Sequence, residues 1–147
     1  MATVKHKAYE TLVDNVLTTG LNSLANTARA ISSAQDNTTN LNLYADFELE
    51  VEFAAAPVEG APVDLYIIPS VDGIQYADGS DSVNPPQNCF AGFFAARAVN
   101  SDQILVLRDV LLPPGLWKAV LRNSAGQAME ATGNILAYRA HNISVVT

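Results

Sequence analysis

LNLYADFELEVEF, running from Leu41 to Phe53, sets an apolar residue at every second position and fills most of the gaps with carboxylates. In an extended chain successive side chains point to opposite faces. Leu43, Ala45, Phe47, Leu49, Val51 and Phe53 therefore share one side, and Asp46, Glu48, Glu50 and Glu52 share the other. A helix would spread the four acids around its circumference and leave no apolar stripe, so the period of two predicts a strand. Four like charges along ~20 Å of strand repel one another, and their face must meet water or basic neighbours. The simplest expectation is the solvated face of an antiparallel sheet; a sharper one is a recognition surface for a basic partner. A regular ladder gives all four carboxylates nearly the same environment, which offers no division between acid and base for catalysis.

Outward from this strand the chain keeps the same grammar. A polar turn, Asp36 to Asn40, precedes it, and Pro57, Gly60 and Pro62 separate it from a second strand at Val63 to Pro69. Cys89 to Val99 and Ile104 to Val110 are expected to pair as a hairpin through Asn100-Ser101-Asp102. Leu116 to Asn123 alternates Trp117, Ala119 and Leu121 against Lys118, Val120 and Arg122, while Ala131 to Tyr138 and Asn142 to Val146 supply the last strands. Thr27 to Ser33 reads as an additional early strand. About seven to nine short strands with turn signals at this spacing predict an all-β, antiparallel two-sheet β-sandwich, jelly-roll-like, with helix in less than about a fifth of the chain.

Two segments stand apart. Residues 1–20 carry Tyr9, Leu12, Val13 and Val16 at helical spacing, which predicts a short helix too weak to stand alone. They are expected to form an N-terminal arm, flexible or ordered by a partner, with the sandwich domain occupying 21–147. The other is Ser70 to Asn88, where two Asp-Gly steps and Pro85-Pro86 forbid regular structure. Such a long loop is usually functional or mobile. Asp72, Asp78 and Asp81 are its only conceivable cation ligands, but their spacing is not that of a calcium loop, and two tight turns held down by Tyr76 are the better expectation.

The composition narrows the function classes. A single domain of 147 residues can bury a sufficient core without disulfides, and the lone Cys89 is expected to be a small apolar residue in a strand. Lys5, Lys7, Glu10 and Asp14 interrupt the first twenty residues, which fit neither a signal peptide nor an anchor, and no stretch approaches the length that spans a bilayer. A net charge of −7 with only eight scattered basic residues argues against nucleic acid as a partner. Hydrophobic residues make up 49% of the chain and charged residues 16%, so some apolar surface is expected to be covered by another chain. His6 and His141 are the only histidines, the serines lie in turns, and no Gly-rich phosphate loop follows a strand. The reading is therefore of a protein that is not an enzyme, with no catalytic, cofactor-binding or metal-binding residue to nominate.

Val63 to Ser80, VDLYIIPSVDGIQYADGS, and Asp109 to Ala128, DVLLPPGLWKAVLRNSAGQA, carry a resemblance. A strand entering a Pro-Ser-x-Asp-Gly-x-x-Tyr loop, and a later Leu-Pro-Pro-Gly turn feeding a strand that ends in Asn-x-x-Gly, make Leu21 to Val146 similar to a β-sandwich family of virion proteins from tailed bacteriophages. The resemblance implies a structural virion component, above all a decoration or cement protein made in the host cytoplasm. It would bind the major capsid protein or other virion subunits, as a homo-oligomer or in many copies. It implies no catalytic or binding residues. The alternative is a tail-associated or carbohydrate-binding adhesin, for which Tyr66, Tyr76, Trp117 and Tyr138 are the available aromatic platforms.

Overall fold

The computed structural model describes every residue from Met1 to Thr147. Strand accounts for 45% of the chain and helix for 4%, so the all-β prediction holds. The strands are β1 (Thr3–His6), β2 (Val13–Leu17), β3 (Arg29–Ile31), β4 (Gln35–Asp36), β5 (Tyr44–Val51), β6 (Pro62–Pro69), β7 (Phe90–Ala95), β8 (Gln103–Leu111), β9 (Leu116–Asn123), β10 (Ile135–His141) and β11 (Ile143–Val146). One sheet has the order β2-β10-β5-β8; the second has the order β3-β9-β6-β7, with β4 also on β9; β1 and β11 form a separate ribbon. Neighbouring strands run antiparallel throughout.

The opening strand, β5, lies inside its sheet between β10 and β8. Phe47, Leu49, Val51 and Phe53 are fully buried, as the alternation requires. They meet Leu65, Trp117 and Leu121 of the opposite sheet in one hydrophobic cluster. Phe47 sits edge-on to Trp117 at 6.1 Å between ring centres, and Tyr138 closes the triangle at 5.4 Å from Phe47 and 5.3 Å from Trp117. Aromatic faces and edges attract at these separations, so the triad binds the two sheets by more than area burial. Buried amides fasten the turns around the core. Asn37 donates to the Asn42 and Pro113 carbonyls, and Asn123 donates to those of Leu24 and Gln127.

The helix expected within residues 1–20 is not formed. Val13–Leu17 instead pairs with β10, and a register shift between Leu136 and Tyr138 lets the adjacent Val16 and Leu17 both turn inward. Their spacing therefore imitates a helix, while Asp14, Asn15 and the valines have little helical preference and an open sheet edge offers their backbone its hydrogen bonds. Val16, Leu17 and Leu21 belong to the same core cluster as β5, so the packing is continuous across residue 20.

The expected hairpin is also absent: β7 pairs with β6 and β8 with β5, in different sheets. The segment between them crosses the edge of the sandwich, and buried Gln103 satisfies it. Its amide accepts from the Arg97 N–H at 2.8 Å and donates to the Arg97 and Val99 carbonyls at 3.2 and 3.0 Å. Cys89 lies in a short 3₁₀ turn before β7 rather than in a strand, and β3 is shorter than Thr27 to Ser33.

Candidate functional site

The outward face of β5 is less uniform than its sequence. Glu48 stands between Val106 and Ala137, and Glu50 between Ile104 and Ile135, so apolar side chains flank these two acids. Ile104 and Val106 remain 66% and 55% exposed, which makes this sheet face part apolar and part acidic. At one end of the strand, burial pushes the Glu52 carboxyl up, helped by the neighbouring Asp102 and Glu130 carboxylates. At the other end Asp46 leaves the ladder altogether.

A β-bulge makes that difference. Ala45 pairs with Val110 but Phe47 pairs with Leu107, so Arg108 and Asp109 together oppose Asp46. Asp109 takes a left-handed backbone, φ 55°, an uncommon state for a residue with a side chain. Its N–H donates to Asp46 Oδ1 at 2.8 Å. The same Oδ1 lies 3.3 Å from His141 Nε2, and Asp109 Oδ1 lies 3.4 Å from that nitrogen. Asp46, Asp109 and His141 are the only group of three acidic, histidine or cysteine side chains whose ligand atoms lie within 4.8 Å of one another, and so the only set placed to hold a metal.

The N-terminal segment roofs this cluster. Tyr9 donates its hydroxyl to Asp46 Oδ2, and its ring stands edge-on to the His141 ring at 5.5 Å. Tyr44 stacks on His141 at 5.6 Å between ring centres, and His141 is left 5% exposed. The backbone binds too: Lys7 N–H donates to the Asn142 carbonyl, Glu10 N–H to that of Ala140, and Arg139 Nε to the Glu10 carbonyl. Burial is the largest influence on the Asp46 carboxyl and pushes it up. Hydrogen bonds from Tyr9 and the Asp109 N–H, with His141 beside them, outweigh burial and leave it below the usual carboxylate range. Donating that bond makes Tyr9 harder to ionise, and its hydroxyl is pushed up chiefly by the bond itself and then by desolvation. Chemically the arrangement is a clasp that fastens the stretch from Lys7 to Glu10 onto β5 and the end of β10.

Beyond the clasp the β1-β11 ribbon leaves both sheets. All four residues of β1 are exposed, and the in-register pair Val4 and Val145 is 63% and 65% exposed. No family model and no characterised protein matches this chain.

The loop from Ser70 to Asn88 is built from tight turns. Asp72 Oδ1 accepts the N–H groups of Ile74 and Gln75 in a tight turn; those two bonds hold its carboxyl low, and Asp78 and Asp81 do not join it in a ligand group. The loop lies on the outer face of β6 and β9, where Tyr76, Ala77 and Cys89 cover Tyr66, Ile68 and Val120. Lys118 caps Tyr76 at 4.3 Å from the ring centre. Of the aromatic platforms, Tyr66, Trp117 and Tyr138 are buried and Tyr76 is half-buried beneath Lys118. Sequence reasoning nominated no site residue, so it missed His141, Asp46 and Asp109 as a unit. The available signal was a slip in alternation on β8: inward Gln103, Leu105 and Leu107 are followed by inward Val110, three residues on.

Proposed function

We propose that this chain is a non-enzymatic structural component of a tailed-bacteriophage virion, a decoration or cement protein that docks on major capsid protein or neighbouring virion subunits in many copies. The observation that carries the reading is the β1-β11 ribbon. A two-stranded ribbon is marginal alone in water, yet this one presents Val4, Ile143, Val145 and Val146 to solvent. A partner surface would cover those residues and stabilise the ribbon, which is what a cement contact supplies. The part-apolar, part-acidic face around Ile104, Val106, Glu48 and Glu50 offers a second area of contact, and several weak contacts held by one rigid body add up to firm attachment.

The reading of the chain as a tail-associated or carbohydrate-binding adhesin has less support, because stacking on a sugar needs open aromatic faces and the four expected platforms, Tyr66, Tyr76, Trp117 and Tyr138, are buried or capped. The test is binding to phage shells that lack the protein. Val4→Ser with Val145→Ser should leave the melting temperature unchanged and weaken shell binding at least about tenfold, the effect of losing ~1.4 kcal/mol of contact. Unaltered shell affinity in that variant rejects the ribbon as the docking element.

A further inference from the structure

We propose that Asp46, Asp109 and His141 form a binding site for a tetrahedral transition-metal ion of the zinc class, which would tie three strands of one sheet together beneath the N-terminal segment. The proposal stands apart from the docking role and rests on the distances within the cluster. The His141 Nε2 separations of 3.3 and 3.4 Å from the two carboxylate oxygens are long for an imidazole-to-carboxylate hydrogen bond, which settles near ~2.7–2.9 Å when charge assists it. They match the edge of a coordination tetrahedron. Metal bonds of ~2.0–2.2 Å at the tetrahedral angle place neighbouring donor atoms ~3.3–3.6 Å apart. Magnesium, octahedral at ~2.0–2.1 Å, would draw the edges in to ~2.8–3.0 Å, and calcium calls for six or more oxygen ligands that the cluster does not offer.

The surroundings are those of a prepared site. The Asp109 N–H fixes Asp46 Oδ1 and the Tyr9 hydroxyl holds Oδ2, so the first carboxylate cannot swing away. Tyr44 stacks on the imidazole and Tyr9 packs against it edge-on, which holds the ring in place. A bulge and a left-handed Asp109 bring the second carboxylate to the same nitrogen, and backbone strain of this kind collects where a side chain has a task. His6, the other histidine, borders the same opening with its ring centre 6.0 Å from that of His141; with water it is the candidate for the fourth position. Lys7 and Arg108 also border the opening, so the site is anionic at its floor and cationic at its rim. An ion held here would cross-link β5, β8 and β10.

The experiment uses the full chain, free of any affinity tag and stripped with a chelator, then dialysed against zinc. Expected are one zinc per chain by elemental analysis and a melting temperature raised by about 5–10 °C at a free zinc concentration a hundredfold above Kd. Asp109→Asn is the key variant: its side chain is 55% exposed and Asn tolerates the left-handed backbone, so the fold survives. It should melt like the wild type without zinc and lose the zinc-dependent rise. In nuclear magnetic resonance of the wild type, zinc should move the His141 imidazole nitrogens. Substoichiometric zinc, an equal rise in Asp109→Asn, or a zinc response at His6 with none at His141 would each overturn the site. An equal rise with magnesium or calcium would overturn its tetrahedral assignment.

Discussion

Phe47→Ala removes a ring that is fully buried where the two sheets meet. Truncating a buried phenylalanine costs ~3–5 kcal/mol through lost transfer energy and the cavity left behind. Phe47 also forms two aromatic contacts, to Trp117 and Tyr138, each adding ~0.5–1.5 kcal/mol beyond burial, which puts the expectation in the upper half of that range, ~4–5 kcal/mol. Because β5 lies between two neighbours and faces the other sheet, backbone collapse into the cavity is restrained on every side. Urea unfolding followed by the fluorescence of Trp117, the single tryptophan, reports the loss at the site itself. The transition midpoint should fall with little change in slope, and the melting temperature should drop by roughly 8–20 °C. A loss below about 2 kcal/mol would mean that Phe47 is not enclosed between two sheets, and the sandwich reading of β5 would fail with it.

Stability should be flat near neutral pH and fall on both flanks. Asp46, Asp36 and Asp72 have lowered carboxyls, so their contribution is present above the unfolded value of ~3.9 and is lost as acid carries pH through the lower folded values. Tyr9 and Tyr138 are raised, Tyr9 by its bond to Asp46 and Tyr138 by burial, so their contribution is present below ~10 and lost as pH climbs through the higher folded values. Thermal melts across pH check both, and Asp46→Asn should flatten part of the acid limb. Glu48→Gln with Glu50→Gln should leave melting almost unchanged, since the residues directly opposite both are apolar and neither carboxylate forms an ion pair; weaker shell binding with that stability intact would mark the face as a docking surface, most visibly at low salt. Gly92→Ala should cost ~1–3 kcal/mol in urea unfolding, because Gly92 has φ 144° and a Cβ there would come within 3.0 Å of the Leu107 methyl groups.

The sandwich was legible because its long strands obey a single rule. β5 alternates buried and more open residues from end to end; β6 and β9 begin the same way and then run on as buried apolar stretches where the Ser70–Asn88 loop covers their outer face, and turn residues mark the limits of all three. Reading failed where the rule slips. At β2 a register shift buries two adjacent residues and imitates a helical spacing. At β7 and β8 two apolar strands close in sequence look like a hairpin, because nothing local tells a chain whether to turn back or cross to the facing sheet. The clasp was hidden for a related reason: it gathers Tyr9, Asp46, Asp109 and His141 from four distant points, and its only local trace is the broken alternation around Arg108 and Asp109.

Attachment of this sandwich to a virion shell through its terminal ribbon is the proposal to test. A cryo-electron microscopy map of the phage particle that incorporates the chain tests it most directly. The account predicts density for a two-sheet sandwich in repeated copies on the capsid surface, with Thr3–His6 and Ile143–Val146 pressed against shell subunits. A particle whose shell lacks this density, or one in which the ribbon points into solvent while another face makes the contact, would contradict it.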